Sequence, residues 1–141
     1  EMMRPYGIWI DALRSAEIAS SVNVPTELGF LLPELERPSP ASPDLGRLFD
    51  AVVQLLVQCA ARAPLLLLLD DLQWIDEASS ALLHYAIRLL RPLPVLFAFA
   101  ARAQELTDNS AISLLVQALR REQRLQSLEL QPLNREQTAD L

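Results

Sequence analysis

An α/β domain wound around a mostly parallel sheet is the fold class that the sequence predicts, on three observations. Segments with apolar residues at helical spacing alternate along the chain with short runs that are apolar throughout. Those runs, Leu65–Leu69 and Val95–Ala101, show no polar alternation, as expected of strands covered on both faces by helices. A proline precedes each run, Pro64 and Pro94, and the order helix, strand, helix, strand, helix, strand is that of a doubly wound sheet.

The first helix is predicted over Tyr6–Val22, where Trp9, Leu13, Ala16 and Ser20 recur at helical spacing. Residues 33–43, Pro-Glu-Leu-Glu-Arg-Pro-Ser-Pro-Ala-Ser-Pro, cannot sustain a helix or a central strand. They form a loop inside one domain of residues 1–141, because the flanking pieces are too small to fold alone. Ser42 as N-cap and Pro43 at the first helical position then open a second helix, running to about Arg62. Arg47, Asp50, Gln54, Gln58 and Arg62 fall on its polar stripe, leaving Leu48, Phe49, Val52, Leu56 and Cys59 to pack.

Pro64 ends that helix, and the strand Leu65–Leu69 follows. Asp76 caps a third helix from Glu77 to about Arg91. Its polar face is Glu77, Ser80, His84, Arg88 and Arg91, and its apolar face is Leu82, Leu83, Ala86, Leu89 and Leu90. Pro92 and Pro94 stop it ahead of the second strand, Val95–Ala101. A fourth helix, about Ser110–Arg121, leads to a weaker third strand at Gln126–Leu130.

Composition narrows the chemistry. At 51% hydrophobic and 21% charged, the 141 residues can bury a core. All 12 residues counted as Lys+Arg are Arg, and the absence of Lys removes Schiff-base chemistry and the lysine of a complete phosphate-binding loop. Eighteen acids give a net charge of −6, which disfavours a large contact with nucleic-acid phosphates or an anionic bilayer. Cys59 is the single cysteine, so no internal disulfide and no thiolate-rich zinc site can form; it reads as a small buried apolar residue. Neither Ala63–Leu69 nor Pro92–Ala101 reaches membrane-spanning length, and Glu1–Pro5 lacks the apolar region of a signal peptide, so the expected location is the cytoplasm.

Ligands of open parallel sheets bind beyond the carboxyl ends of the strands. The first strand exits into Asp70-Asp71-Leu72-Gln73-Trp74-Ile75-Asp76. An acid at the end of an apolar strand suits a Mg²⁺ ion held beside nucleotide phosphates, and a second acid can orient an attacking water. The alternative is structural: the two acids bond backbone amides of the turn into the next helix. For Trp74 the alternative is a packing anchor, and for Arg102 a solvated arginine at a strand end. His84, Arg88 and Arg91 fit a solvated helix face.

The string Leu-Leu-Leu-Leu-Leu-Asp-Asp-Leu-Gln-Trp-Ile-Asp resembles the Walker B segment of STAND-class P-loop NTPases, in particular the AAA-like ATPase module of bacterial LuxR-type and maltose-activator-type multidomain regulators. Pro5–Arg14 resembles the helix that follows the Walker A region in that family, Arg102 matches its sensor 1 arginine, and Leu128–Gln137 resembles the passage from the sheet into a helical lid, which residues 131–141 would begin. The resemblance implies a three-layer αβα fold, ATP and Mg²⁺ as ligands, and a role in signal transduction or transcriptional regulation. Carried over by residue, it implies that Asp70 holds Mg²⁺, Asp71 positions the hydrolytic water and Arg102 senses the γ-phosphate, while Trp74 and Asp76 shape the loop under the nucleotide.

One departure qualifies that resemblance. No Gly-x-x-x-x-Gly-Lys-Ser/Thr exists in the chain, whose glycines are Gly7, Gly29 and Gly46. The expectation is therefore a partial module, starting after the phosphate loop and stopping as the lid begins, with its Walker A strand and loop absent and no activity by itself. A naturally degenerate module serving as an interaction or oligomerisation scaffold is the alternative. In this class of sheet the Walker A strand lies between the strand ending at Arg102 and the one around Leu128. Without it, the Val95–Ala101 strand is expected to pair directly with Gln126–Leu130 or with a second chain, which predicts self-association through the open edge.

Overall fold

The computed structural model describes residues 4–16, 23–36, 44–132 and 138. Six regular elements carry the fold: α1 (Gly7–Ser15), α2 (Leu45–Ala60), β1 (Leu65–Leu69), α3 (Glu77–Leu89), β2 (Val95–Phe99) and α4 (Ser110–Arg121). Short 3-10 turns at Thr26–Phe30, Pro33–Leu35 and Leu72–Trp74 join them. None of the helices among the described residues is long and apolar enough to cross a membrane.

Strands β1 and β2 pair in parallel, in the register Leu65 to Val95 through Leu69 to Phe99, with α3 as the crossover. This makes the domain α/β, as the alternation of helical and apolar segments predicts. The covering of the sheet differs from expectation. Leu67 and Leu69 are buried, whereas Leu66, Leu68 and Leu96 are 59%, 67% and 65% exposed. Alternate residues of a strand face opposite sides, so among the described residues one side of the sheet is packed by helices and the other is left largely exposed. The described residues therefore form two layers in place of the three expected. An unbroken leucine run cannot report this, because it lacks the polar alternation that would mark an uncovered face.

The core lies on the covered side, where Trp9, Leu28, Leu48, Leu55, Leu82, Leu83 and Ile112 are fully buried. Helix α1 contributes Trp9, Ile10 and Leu13 to it. This helix stops at Ser15, well short of Val22; the Ser15 hydroxyl donates back to the Ala12 carbonyl at 2.9 Å, a local bond that competes with continuing the helix. Ala16 is its exposed C-cap, and Ser20 lies outside the described residues. Arg14, in the last turn, clamps Glu34 with two bonds of 2.6 and 3.1 Å, tying α1 to the Pro33–Leu35 turn.

That clamp holds the Glu34 carboxyl down at about 2, against its ordinary 4.5, chiefly through the Arg14 hydrogen bond. A carboxyl whose value is depressed by folding favours the folded state above its ordinary value, and the contribution is lost as the pH falls from 4.5 toward about 2. An NMR titration of the Glu34 side chain is expected to give a midpoint near that lower value, returning to the ordinary carboxylate range in Arg14→Gln. A normal midpoint in the unmodified chain would refute the clamp.

Helix α2 is capped by Asp44, whose carboxylate accepts from the Gly46 and Arg47 amides, and not by Ser42, which lies with Pro43 outside the described residues. A carboxylate at a helix N-terminus meets both the free amides and the positive end of the helix dipole. Cys59 is half-buried. Asp76 caps α3 as predicted, and α4 spans the predicted Ser110–Arg121. Two residues of α3 fall on the unexpected side: Ser80 is buried, donating to the Ala111 carbonyl at 3.1 Å, and Leu89 is 48% exposed. Packing of α4 against α3 turns the Ser80 position inward.

The third predicted strand does not form. Residues 126–130 take no strand conformation, and Leu128 and Leu130 are almost fully exposed. Direct closure of the sheet onto β2 is thus absent among the described residues, where the sheet has two strands. Alternating Leu-Glu-Leu satisfies strand periodicity, but a strand needs a partner's hydrogen bonds to persist. The expected lid start at 131–141 lies almost wholly outside the described residues.

Candidate functional site

Beyond the strand ends, the parallel pairing continues for one more step. Ala100 N–H donates to Leu69 O at 3.0 Å, and Leu72 N–H donates to Ala100 O at 2.9 Å. These two bonds bracket Asp70 and Asp71 and fix where the chain leaves β1. Asp71 then adopts a left-handed conformation, φ 52° and ψ 40°, from which the Leu72–Trp74 turn starts. For a residue other than glycine this costs on the order of 1–3 kcal/mol, and Asp tolerates it better than most.

Both carboxylates are exposed, and each spends one oxygen on the turn. Asp70 Oδ1 accepts from the Asp71 amide at 2.8 Å, and Asp71 Oδ1 accepts from Gln73 Nε2 at 2.9 Å. The second oxygen of each accepts no bond from a described residue. Two open carboxylate oxygens fit a hard divalent cation that keeps most of its waters. The described residues contain no cluster of three or more His, Cys, Asp or Glu able to cage a metal, so such an ion would need phosphate oxygens as well.

Gln73 organises the site. It is 2% exposed, and its amide bridges two strand exits: Nε2 donates to Asp71 Oδ1, while Oε1 accepts from the Arg102 backbone N–H at 3.3 Å. Asn109 reinforces the bridge, its Nδ2 donating to the Gln73 and Ile75 carbonyls at 2.8 and 2.9 Å while its Oδ1 caps α4 through the Ala111 amide. Asp70, Asp71 and Arg102 are thereby held at one end of the sheet. The Arg102 guanidinium is largely exposed and pairs with Glu105 Oε1 at 3.1 Å, whose other oxygen is buried without a partner.

Asp76 and Trp74 behave differently from one another. Asp76 Oδ1 accepts from the Ser79 amide and Oδ2 from the Ser79 hydroxyl, so both oxygens serve the start of α3. Trp74 is 63% exposed beside the acids and is no packing anchor. That part is taken by Trp9, whose indole N–H donates to the Ser79 carbonyl at 3.1 Å and seats α1 against the first turn of α3. Tyr6, at the start of α1, has its phenol pushed up by burial and then by the Asp76 charge.

Gln73 and Asn109 are the residues that periodicity alone misses as site builders. A glutamine between Leu72 and Trp74 carries no periodic signal, whereas an asparagine immediately before Ser110 is a recognisable N-cap type.

A family model described as AAA ATPase domain matches residues 1–98. The matched span contains β1, the Asp70-Asp71 exit, α3 and all but the last residue of β2, and it stops before Arg102. Comparisons with curated proteins and with solved structures return no match.

Proposed function

This chain belongs to the AAA ATPase domain family, and from that premise we propose that Asp70, Asp71 and Arg102 form the metal and γ-phosphate side of an ATP site in a regulatory switch module. The observation that carries the reading is the Gln73 bridge, which ties the Asp71 carboxylate to the backbone of Arg102 across two strand exits. In this reading Asp70, with its open oxygen, holds Mg²⁺, which when bound neutralises phosphate charge. Asp71 takes the position from which a carboxylate orients an attacking water. Arg102, whose own side chain is largely exposed, exchanges its half-buried partner Glu105 for a phosphate oxygen. The STAND-type regulatory role belongs to the same proposal and rests on the resemblance of the Asp-Asp-Leu-Gln-Trp-Ile-Asp string.

The 141 residues contain no lysine and no Gly-x-x-x-x-Gly-Lys-Ser/Thr. The amides and lysine that wrap the phosphates are therefore supplied in this reading by another segment. In a protein that joins these residues to such a segment, Asp71→Asn is expected to leave nucleotide affinity within about twofold and to slow hydrolysis by about 10²-fold or more. Equal turnover by the two proteins would remove Asp71 from the reaction. A scaffold reading is supported by one observation, that Asp70, Asp71 and Asp76 all make structural bonds; it predicts that Asp71→Asn changes stability alone.

A further inference from the structure

The polar face of α3 carries two arginines that the nucleotide reading does not use. Helices α3 and α4 run side by side in the same direction. Ser80, near the start of α3, bonds Ala111 at the start of α4; Ile87, near the end of α3, accepts from Arg124 Nη1 at 3.5 Å, just past the end of α4. Their C-terminal ends are therefore neighbours. Arg88 and Arg91 come from the first helix and its exit, and Arg120, Arg121 and Arg124 from the second. A chain of net charge −6 thus gathers five of its arginines at one pole.

Arginines near a helix C-terminus can simply complement its carbonyls, and Arg124 does so while also pairing with Glu122 at 3.4 Å. Arg88 and Arg91 do not. Neither guanidinium makes a hydrogen bond or ion pair with a described residue, although the Arg88 charge is among those that depress the Glu122 carboxyl, after the hydrogen bond from His84. These two arginines and Arg124 line a cavity of about 370 Å³, completed by Tyr85, Leu89 and Pro92. The Tyr85 wall is fixed: its hydroxyl donates to Asp50 at 2.6 Å, and its ring lies 5.5 Å from that of Phe49. The acids nearest the cluster are Glu122, shared between His84 and Arg124, and Asp50, bonded to the Tyr85 hydroxyl; against them stand three lining arginines, so positive charge stays in excess.

We propose that this cavity is an anion site for a small organic phosphate, or a comparable compact dianion, carried on an apolar or ring-bearing body. Guanidinium forks match phosphate oxygens in pairs, and Leu89, Pro92 and the Tyr85 ring offer an apolar wall to the rest of the ligand. The volume falls within the range of about 300–1,000 Å³ usual for small-molecule sites. At roughly 1.5 Å per residue, the length of α3 sets the cavity about 20 Å from the Asp76 cap. The anion site is therefore separate from the strand exits and sits at the far end of the helix that leads away from them.

Inorganic pyrophosphate is the probe, titrated into the chain at constant ionic strength while the arginine Nε–Hε resonances are followed by NMR. Saturable shifts at Arg88, Arg91 and Arg124 are expected, with affinity reduced about tenfold in Arg88→Gln and in Arg91→Gln. Both positions are exposed, so neither substitution threatens folding. The proposal is overturned by shifts that chloride reproduces at matched ionic strength, by affinity unchanged in both variants, or by affinity that follows Asp70→Ala instead. Saturable binding of a glutamate-rich peptide without binding of pyrophosphate would also overturn it, in favour of a protein partner.

Discussion

Trp9→Ala is expected to cost about 3–5 kcal/mol, the range for deleting a buried aromatic side chain. Total stability of a domain of this size is typically about 5–15 kcal/mol, so the variant should sit near the edge of folding. The reasons are specific to the position. Trp9 is fully buried, and its indole N–H satisfies the Ser79 carbonyl in the first turn of α3. Alanine would open a cavity and remove the indole's bond to a carbonyl whose remaining partner is the helical N–H of Leu83. Trp9→Phe separates the two effects, since it keeps most of the ring volume and loses the bond; a loss of about 1–2 kcal/mol is expected. Urea unfolding followed by circular dichroism measures both. A change below about 1 kcal/mol in Trp9→Ala would mean that α1 is not seated on α3 as described.

The second large effect is expected at Asn109. One side chain caps α4 and holds the carbonyls of Gln73 and Ile75, three bonds in all. Loss of an N-cap alone costs about 1 kcal/mol, and the partly buried carbonyls add to it, so Asn109→Ala should lose about 2–4 kcal/mol. Asn109→Asp retains a cap acceptor but cannot donate to either carbonyl, and it places negative charge beside them. It should therefore lose the inner bonds while keeping α4 capped. Hydrogen exchange at Ala111 would then stay slow while the Leu72–Trp74 turn exchanges faster. Equal acceleration at both places would show that the two functions of Asn109 are not separable.

Much of this was legible from residue types at element ends. The leucine run bounded by Pro64 and Asp70 defined β1, and Asp76 ahead of Glu77 marked the cap of α3. What escaped was decided by packing between elements. Ser80 shares a helical stripe with Glu77 and His84, yet α4 covers it and takes its hydroxyl. The Leu66, Leu68 and Leu96 side chains have the composition of a covered face without a cover. Residues 126–130 have strand periodicity without a strand to pair with among the described residues. The site divides the same way: Asp70, Asp71 and Arg102 follow from where strands end, whereas Gln73 emerges as their link only once the two exits lie side by side.

The most direct test is a titration of a fluorescent ATP analogue, with and without Mg²⁺. It would use the 141 residues alone and a longer protein that joins them to a phosphate-binding loop. The proposed ATP site predicts Mg²⁺-dependent binding by the longer protein, weakened about tenfold or more by Asp70→Ala, and little binding by the shorter one. Binding that ignores both Mg²⁺ and Asp70→Ala, binding by neither protein, or tight binding by the 141 residues alone would contradict it.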